Sequence, residues 1–516
     1  MIKTISLSHP SLSDNTADAD RLIRALKHDL NTDRISIEID LLRELPVLLR
    51  KYDYQLRCLL FQDRKGYLLI NISGADETSP MLIGLAVDLG TTRVVLRLID
   101  LINGNALGES TFDNPQIAIG PDILTRIHFA DTEGGLEELH ALIINSINEE
   151  LARLCRTCAI TPEDVYLISL AGNTAMTLMF MGLNPHWVIR EPYIPVINTP
   201  EIMTARKLGI NANPLAKILI FPNIGSYFGG DLIAGILFSG MNISEETAIL
   251  VDVGTNAEVV IGNKDWMIAC AGAAGPALEG GLSRMGMMAG SGVIDRVSIH
   301  PATHEFDIHT IDNQKPIGIC GSGVIDLAAC LFLSGMMDIR GKLVPSACGN
   351  RFREKDGMGY FVVVSASESA TGRDLSISQA DLDSLKRSKA AMFTILETIS
   401  GTVGLALSDL KSFYVAGTFG CFINPESAIS IGMLPDLPLE TFKPLGNSSL
   451  GGAAMALTQD CIDTIDAVRN QITYLELNVN QDFMNRFSAA KFFPHTDISR
   501  FPSVNPEKLR AIRSRI

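Results

Sequence analysis

Two short segments of the 516-residue chain carry the same residue types at the same spacing: Asp88-Leu-Gly-Thr-Thr92 and Asp252-Val-Gly-Thr-Asn256. Each follows an apolar run and precedes another, residues 94–99 in the first copy and Glu258-Val-Val-Ile261 in the second, so each reads as strand, tight turn, strand. Gly90 and Gly254 let the backbone bend sharply, which turns successive N–H groups outward as a nest for a phosphate. Thr91, Thr92, Thr255 and Asn256 add hydroxyl or amide hydrogen bonds. Asp88 and Asp252, each at the end of its strand, suit Mg²⁺, which takes few carboxylates and keeps waters and phosphate oxygens in its shell. Two such hairpins facing each other would enclose a triphosphate, whereas either alone would be an ordinary hairpin with an Asp at its turn. The repetition makes the site a prediction.

Three further segments bear on the same chemistry. The turn Ala416-Gly-Thr-Phe-Gly420 ends a predicted strand, and Gly417, Thr418, Phe419 and Gly420 would let the backbone approach a flat ring; by itself it is also a plain strand-to-loop turn. Gly318-Ile-Cys-Gly-Ser-Gly323 leads into a helical stretch, so Gly321, Ser322 and Gly323 offer a helix N-terminus to an anion. Asp231, closing Phe228-Gly-Gly-Asp231, could be a base for a substrate hydroxyl or simply the cap of the helix it opens. Competing chemistries are missing from the chain. There is no Gly-x-x-x-x-Gly-Lys-Ser/Thr, no Gly-x-Ser-x-Gly elbow and no His-Glu-x-x-His helix. Cys155 and Cys158 form a Cys-x-x-Cys without the second pair a structural metal or cluster requires.

The elements around these residues follow from period and punctuation. Residues 1–80 read as a small α/β unit: Asp14 or Asn15 caps a helix with the stripe Leu22, Leu26, Leu30, a second helix spans residues 41–49, and strands at 55–61 and 67–72 flank a turn at Gly66. A polar stretch, 73–80, links it to residues 81–245 and 246–500, the two halves that hold the two hairpins, and 501–516 is a tail. Residues 378–409 are helical in period and run into a strand at 413–417. A net charge of −15 argues against a sequence-independent hold on nucleic acid, which needs a cationic surface. No apolar run has signal-peptide or membrane-spanning length, and nine scattered cysteines suit a reducing cytoplasm better than a disulfide framework.

The order of segments resembles that of the reductive activators of corrinoid proteins, which return an inactive cobalt(II) corrinoid to cobalt(I) for methyl transfer. Besides the two hairpins the likeness rests on Asn114-Pro-Gln116, Ala171-Gly-Asn-Thr-Ala-Met176, Arg190-Glu-Pro-Tyr193, Pro222-Asn-Ile-Gly225, Ala273-Ala-Gly-Pro-Ala277, the stretch 318–326, the turn 416–420 and Phe492-Phe-Pro-His495. It implies an α/β fold of the two-lobed actin and sugar-kinase (ASKHA, ribonuclease H-like) type, with Mg²⁺ and phosphates at residues 88–92 and 252–256 and the adenosine of ATP at 417–420. It also implies an ATPase whose partner is the corrinoid protein of a methyltransferase system. Thr418 stands where the family usually has a second Gly, and Leu178 where His is expected. Family members commonly begin with an iron-sulfur domain held by four cysteines, but only Cys58 falls in the first 150 residues here. The expectation is therefore no cluster in this polypeptide and an electron from a separate ferredoxin or other reductant. Self-association into a homodimer is left open. Two other functions fit the same fold: a small-molecule kinase using Asp231, and a nucleotide-dependent binding module without turnover.

Overall fold

The computed structural model describes residues 1–76, 81–253, 257–272, 285–300, 305–417, 423–459, 461–475 and 483–504. The chain divides into two compact units, Met1–Phe238 with Ser448–Gln471, and Ser239–Asn447 with the chain after Gln471. Among the described residues no helix is long and apolar enough to cross a membrane.

The first unit opens with a four-stranded sheet in the order β1-β3-β4-β2, from Ile2–Ser6 (β1), Ile35–Ile37 (β2), Gln55–Asp63 (β3) and Gly66–Gly74 (β4). Helices α1 (Asp18–Leu30) and α2 (Ile39–Lys51) bury Leu22, Leu26, Leu41, Leu45 and Leu49 beside it. The expected hairpin is present, with two more strands added at its edges. The expected cap of α1 is not: the cap position is Ala17, and Asp14 instead binds the Arg21 guanidinium at 2.5 Å. Arg21 is nearly buried, so its charge outcompetes the helix N–H groups for the carboxylate. Buried Lys217 donates to Glu38, and Arg64 makes a two-pronged contact with Asp466 at 2.7 and 2.8 Å, so this sheet is tied to both other parts of its unit.

Its main sheet runs β7-β6-β5-β8-β10-β9, from Ile83–Leu89 (β5), Arg93–Asp100 (β6), Ala106–Asp113 (β7), Val165–Gly172 (β8), Met203–Thr204 (β9) and Lys217–Ile220 (β10). Strands β5, β6 and β7 form an antiparallel meander, and β8 then joins β5 in parallel. A parallel neighbour requires a crossover, supplied by the helices α3 (Ile123–Ala130) and α4 (Gly135–Thr157). Strand β5 is buried almost throughout, because it lies at the centre with both faces covered.

The second unit repeats this plan. Strands β11 (Ala248–Val253), β12 (Ala257–Gly262) and β13 (Met267–Gly272) form the meander, and after β14 (Val293–Ile299), β15 (Phe306–Thr310), β16 (Gly318–Ile319), β17 (Phe352–Lys355), β18 (Met358–Val364) and β19 (Leu375–Ser378) the parallel strands β20 (Ser412–Ala416) and β21 (Phe442–Gly446) follow; β22 (Ile472–Tyr474) closes the far edge, giving β21-β20-β11-β12-β13-β22. With the short edge strands β9 and β22 left aside and the strands of each sheet counted from the first of its meander, both sheets run third, second, first, fourth, fifth. The sequence repeat is thus a repeat of topology. The helix expected over 378–409 spans Gln379–Thr402, with Ser378 and Asp381 closing a capping box at its start. Inside it Lys389 is fully buried and donates to the carbonyls of Phe492 and, at 2.7 Å, Pro494, which holds the segment 492–495 against the core.

Ser448–Thr458 and Ile462–Gln471, placed by sequence in the second half, pack in the first unit, where the earlier helix lies against β5 and β8. The helix α5 is Thr174–Phe180 and α6 is Gly230–Ser239; α6 is apolar on every side and buried. Helix Ser448–Thr458 touches α6 through Gly452, where an added Cβ would stand 2.1 Å from the Ala234 carbonyl oxygen. Backbone cannot yield as a flexible side chain can. Gly452→Val should therefore destabilise the protein by about 3 kcal/mol or more, measured by urea unfolding; an unchanged midpoint would refute this packing.

Candidate functional site

The first hairpin is β5 and β6 in register from Ile83 opposite Asp100 to Leu89 opposite Val94; Gly90, Thr91 and Thr92 lie between the two strands, and Arg93 opens β6. Asp88 faces Val95 on one side and Ala171 of the parallel strand β8 on the other. The second hairpin copies this: Asp252 faces Glu258 of β12 and Ala416 of the parallel strand β20. Both carboxylates are therefore at the carboxyl ends of central strands, one residue before the strand ends. Open α/β sheets place their ligand-binding loops at that end. Asp88 and Asp252 are both half-buried.

Three side chains hold the first turn and its acid. Asn114 is 1% exposed, donates from Nδ2 to the Gly90 carbonyl at 2.9 Å, and its backbone N–H reaches the Thr92 carbonyl at 2.8 Å. With both carbonyls occupied, the peptide planes of the turn are set. Asn173 caps α5 by accepting from the Met176 N–H at 3.0 Å and donates to Thr91 Oγ1 at 3.0 Å. Ser449, in the first turn of helix Ser448–Thr458, donates to Asp88 Oδ1 at 2.8 Å. Gln116 donates its backbone N–H to Asn114 Oδ1 at 3.0 Å and is itself fully buried. Gly90 answers to its own turn as well, since a Cβ there would lie 2.3 Å from the Arg93 carbonyl oxygen.

Gly417 adopts a φ of +85°, and a Cβ on it would lie 2.7 Å from Asp252 Oδ1. Glycine at this position keeps room for the carboxylate. Gly254, Thr255 and Asn256 of the second turn, and Thr418, Phe419 and Gly420 beyond Gly417, lie outside the described residues, as do residues 273–284. Gly321, Ser322 and Gly323 form the buried first turn of α7 (Gly321–Leu333); the Ser322 hydroxyl donates to the Asp295 carbonyl at 3.0 Å, and Gly323 lies against the Ile294 carbonyl. Asp231 is not the cap of α6. It is the second residue of the helix, and its Oδ1 accepts the Leu232 N–H at 2.9 Å.

The oxygen donors of the first turn, a carboxylate and two hydroxyls, are hard ligands of the kind Mg²⁺ prefers. Thiols are placed otherwise. Burial pushes Cys58 and Cys270 up to about 12 and Cys155 up to about 11, so these sulfurs are protonated and poor ligands near neutrality. Among the described residues no group of three or more His, Cys, Asp or Glu side chains is placed to hold a metal.

Repeated meander-plus-parallel sheets, each ending a central strand in an Asp before a turn, define the ASKHA class of α/β proteins. Three descriptions of one family match successive stretches: RACo linker region over residues 2–79, RACo middle region over 83–244, and the C-terminal domain of RACo, the ASKHA domain, over 246–505. The chain belongs to this family, the reductive activators of corrinoid proteins. A solved reductive activator for a corrinoid, iron-sulfur protein is 36% identical and matches 98% of this chain and 80% of its own, with a TM-score of 0.87. The corrinoid activation enzyme RamQ of Eubacterium limosum is 29% identical over 439 residues, 83% of this chain and 73% of RamQ. The Co(II) methylated amine-specific corrinoid protein reductase of Methanosarcina barkeri is 24% identical over 439 residues, covering 78% and 75%.

Sequence reasoning singled out the acids and the turns but gave no role to Asn114, Asn173 or Ser449. Asn before Pro115 and Asn before Thr174 are local capping signals. Ser449 has no local signal. If its hydrogen bond holds Asp88, a double-mutant cycle of Ser449→Ala and Asp88→Asn in urea unfolding should show a coupling of about 1 kcal/mol or more, and additive losses would dismiss the contact.

Proposed function

We propose that the chain binds and hydrolyses Mg-ATP at its Asp-x-Gly-Thr hairpins and uses the nucleotide to drive reductive reactivation of a corrinoid protein in a methyltransferase system of the cytoplasm. The observation that carries this is the matching place of Asp88 and Asp252, each one residue before the end of a central strand that has an antiparallel hairpin partner on one side and a parallel strand on the other, in two copies of one topology. The relatives' names supply the partner class. Mg²⁺ with ATP supplies the phosphoryl chemistry. Asp88 and Asp252 hold the metal's water shell, the turn at 90–92 with its counterpart at 254–256 receives phosphate oxygens, and Gly417 with residues 418–420 borders adenosine. Asp231 remains a base for a hydroxyl only in the kinase reading.

Turning cobalt(II) into cobalt(I) takes one electron, which in this reading comes from a separate ferredoxin or other reductant. ATP contributes differently. It can shift the cobalt equilibrium only if the nucleotide-bound activator binds one state of the corrinoid protein better than the other, and coupling of the usual 1–3 kcal/mol corresponds to roughly 5–150-fold.

The test is to mix the protein with a candidate corrinoid protein, Mg-ATP and a low-potential reductant and to follow the cobalt absorption. Cobalt(I) should form only when both ATP and the reductant are present. Asp88→Asn and Asp252→Asn should fold but hydrolyse ATP at least about a hundredfold more slowly, because each removes charge from the metal's shell. ATP-independent reduction, phosphoryl transfer to a metabolite, or unchanged Mg-ATP affinity and turnover in both variants would overturn the proposal.

A further inference from the structure

Arg126, on α3, is 0% exposed. Its Nε donates to the Gly120 carbonyl at 2.8 Å, its Nη1 reaches Gln116 Oε1 and Met176 Sδ at 3.3 Å each, and its Nη2 has no hydrogen-bond partner. None of these acceptors is charged. The carboxylate whose field reaches it is Asp122, one turn earlier, but Asp122 is exposed and occupied by the Thr125 N–H and hydroxyl at 2.9 Å each. Burial draws the guanidinium down to about 10, which still leaves it protonated at neutral pH. A buried charge without an opposing partner is costly and is seldom kept for stability alone.

The contacts of Arg126 lead to the first hairpin by two routes. Gln116 donates its N–H to Asn114, which holds the Gly90 and Thr92 carbonyls, and Met176 lies on the helix whose cap, Asn173, holds Thr91. The positive charge thus sits directly behind the braces of the turn, with low-dielectric protein around it.

We propose that Arg126 is a positioning residue whose unpaired charge attracts polyphosphate to the first hairpin in proportion to the ligand's negative charge. This rests on the nucleotide reading above. A merely structural Arg126, stitching residues 116–126 together, would affect all ligands alike.

The experiment is isothermal titration at low salt of the full chain and its variants with adenosine, Mg-ADP and Mg-ATP. Arg126→Met should weaken Mg-ATP by about tenfold while changing adenosine less than about twofold, as expected for one charge acting through protein of intermediate dielectric. Arg126→Lys should restore most of the ATP preference. Asp122→Asn is exposed and can still cap α3, so it leaves the fold intact; by removing the one carboxylate that offsets Arg126 it should strengthen Mg-ATP roughly two- to threefold without moving adenosine. Asp122→Asn decides the matter if Arg126→Met does not fold. An ATP-to-adenosine preference equal to that of the unaltered protein in the folded variants would overturn the inference and leave the nucleotide reading standing, whereas an unaltered protein that binds no nucleotide would remove both.

Discussion

Parallel pairing between the first strand of each hairpin and a strand far along the chain is the constraint on which the site depends. Strand β5 meets β8, and β11 meets β20, with more than a helix of intervening chain in each case. Antiparallel pairing alone would have left Asp88 and Asp252 at the tips of ordinary hairpins. The parallel neighbour adds a second loop at the same strand end: Asn173 follows β8, and Gly417 follows β20. Each carboxylate is then flanked by a turn of its own hairpin and by the start of the chain that leaves the parallel strand.

From that arrangement the remaining choices follow. A turn that must present N–H groups needs its carbonyls occupied elsewhere, and Asn114 does this at Gly90 and Thr92. An acid at a strand end needs a fixed rotamer, and Ser449 supplies a donor at 2.8 Å for Asp88. The proposed polyphosphate site would gain from a positive charge that no carboxylate contacts, which is the condition of Arg126. These are polar groups taken out of water, each at a cost, and their concentration around one turn is what an ordinary hairpin would not require.

Much of this was legible in the sequence for a physical reason: strand, turn and strand are local, and their period and their Gly, Asp and Thr punctuation lie within about a dozen residues. The repeat raised one motif to two. Contacts set by tertiary folding were not legible. Ser449 lies 361 positions from Asp88, and nothing in its own neighbourhood marks it. Helix Ser448–Thr458 follows the second hairpin in the chain yet packs on β5 and β8, a placement that rests on tertiary fits such as Gly452 against Ala234 and is not carried by chain order. Asp14 or Asn15 suits the cap of α1 by residue type, but for Asp14 a buried guanidinium within reach is a stronger partner.

The proposed function stands on nucleotide binding at both Asp-x-Gly-Thr hairpins. Hydrogen exchange of backbone amides, followed by mass spectrometry with and without Mg-ATP, addresses it directly. The account expects peptides covering residues 88–95 and 252–259 to exchange more slowly in the presence of Mg-ATP, with protection of both lost in Asp88→Asn. Protection confined to one hairpin, or protection in neither while the nucleotide is bound elsewhere, would contradict it.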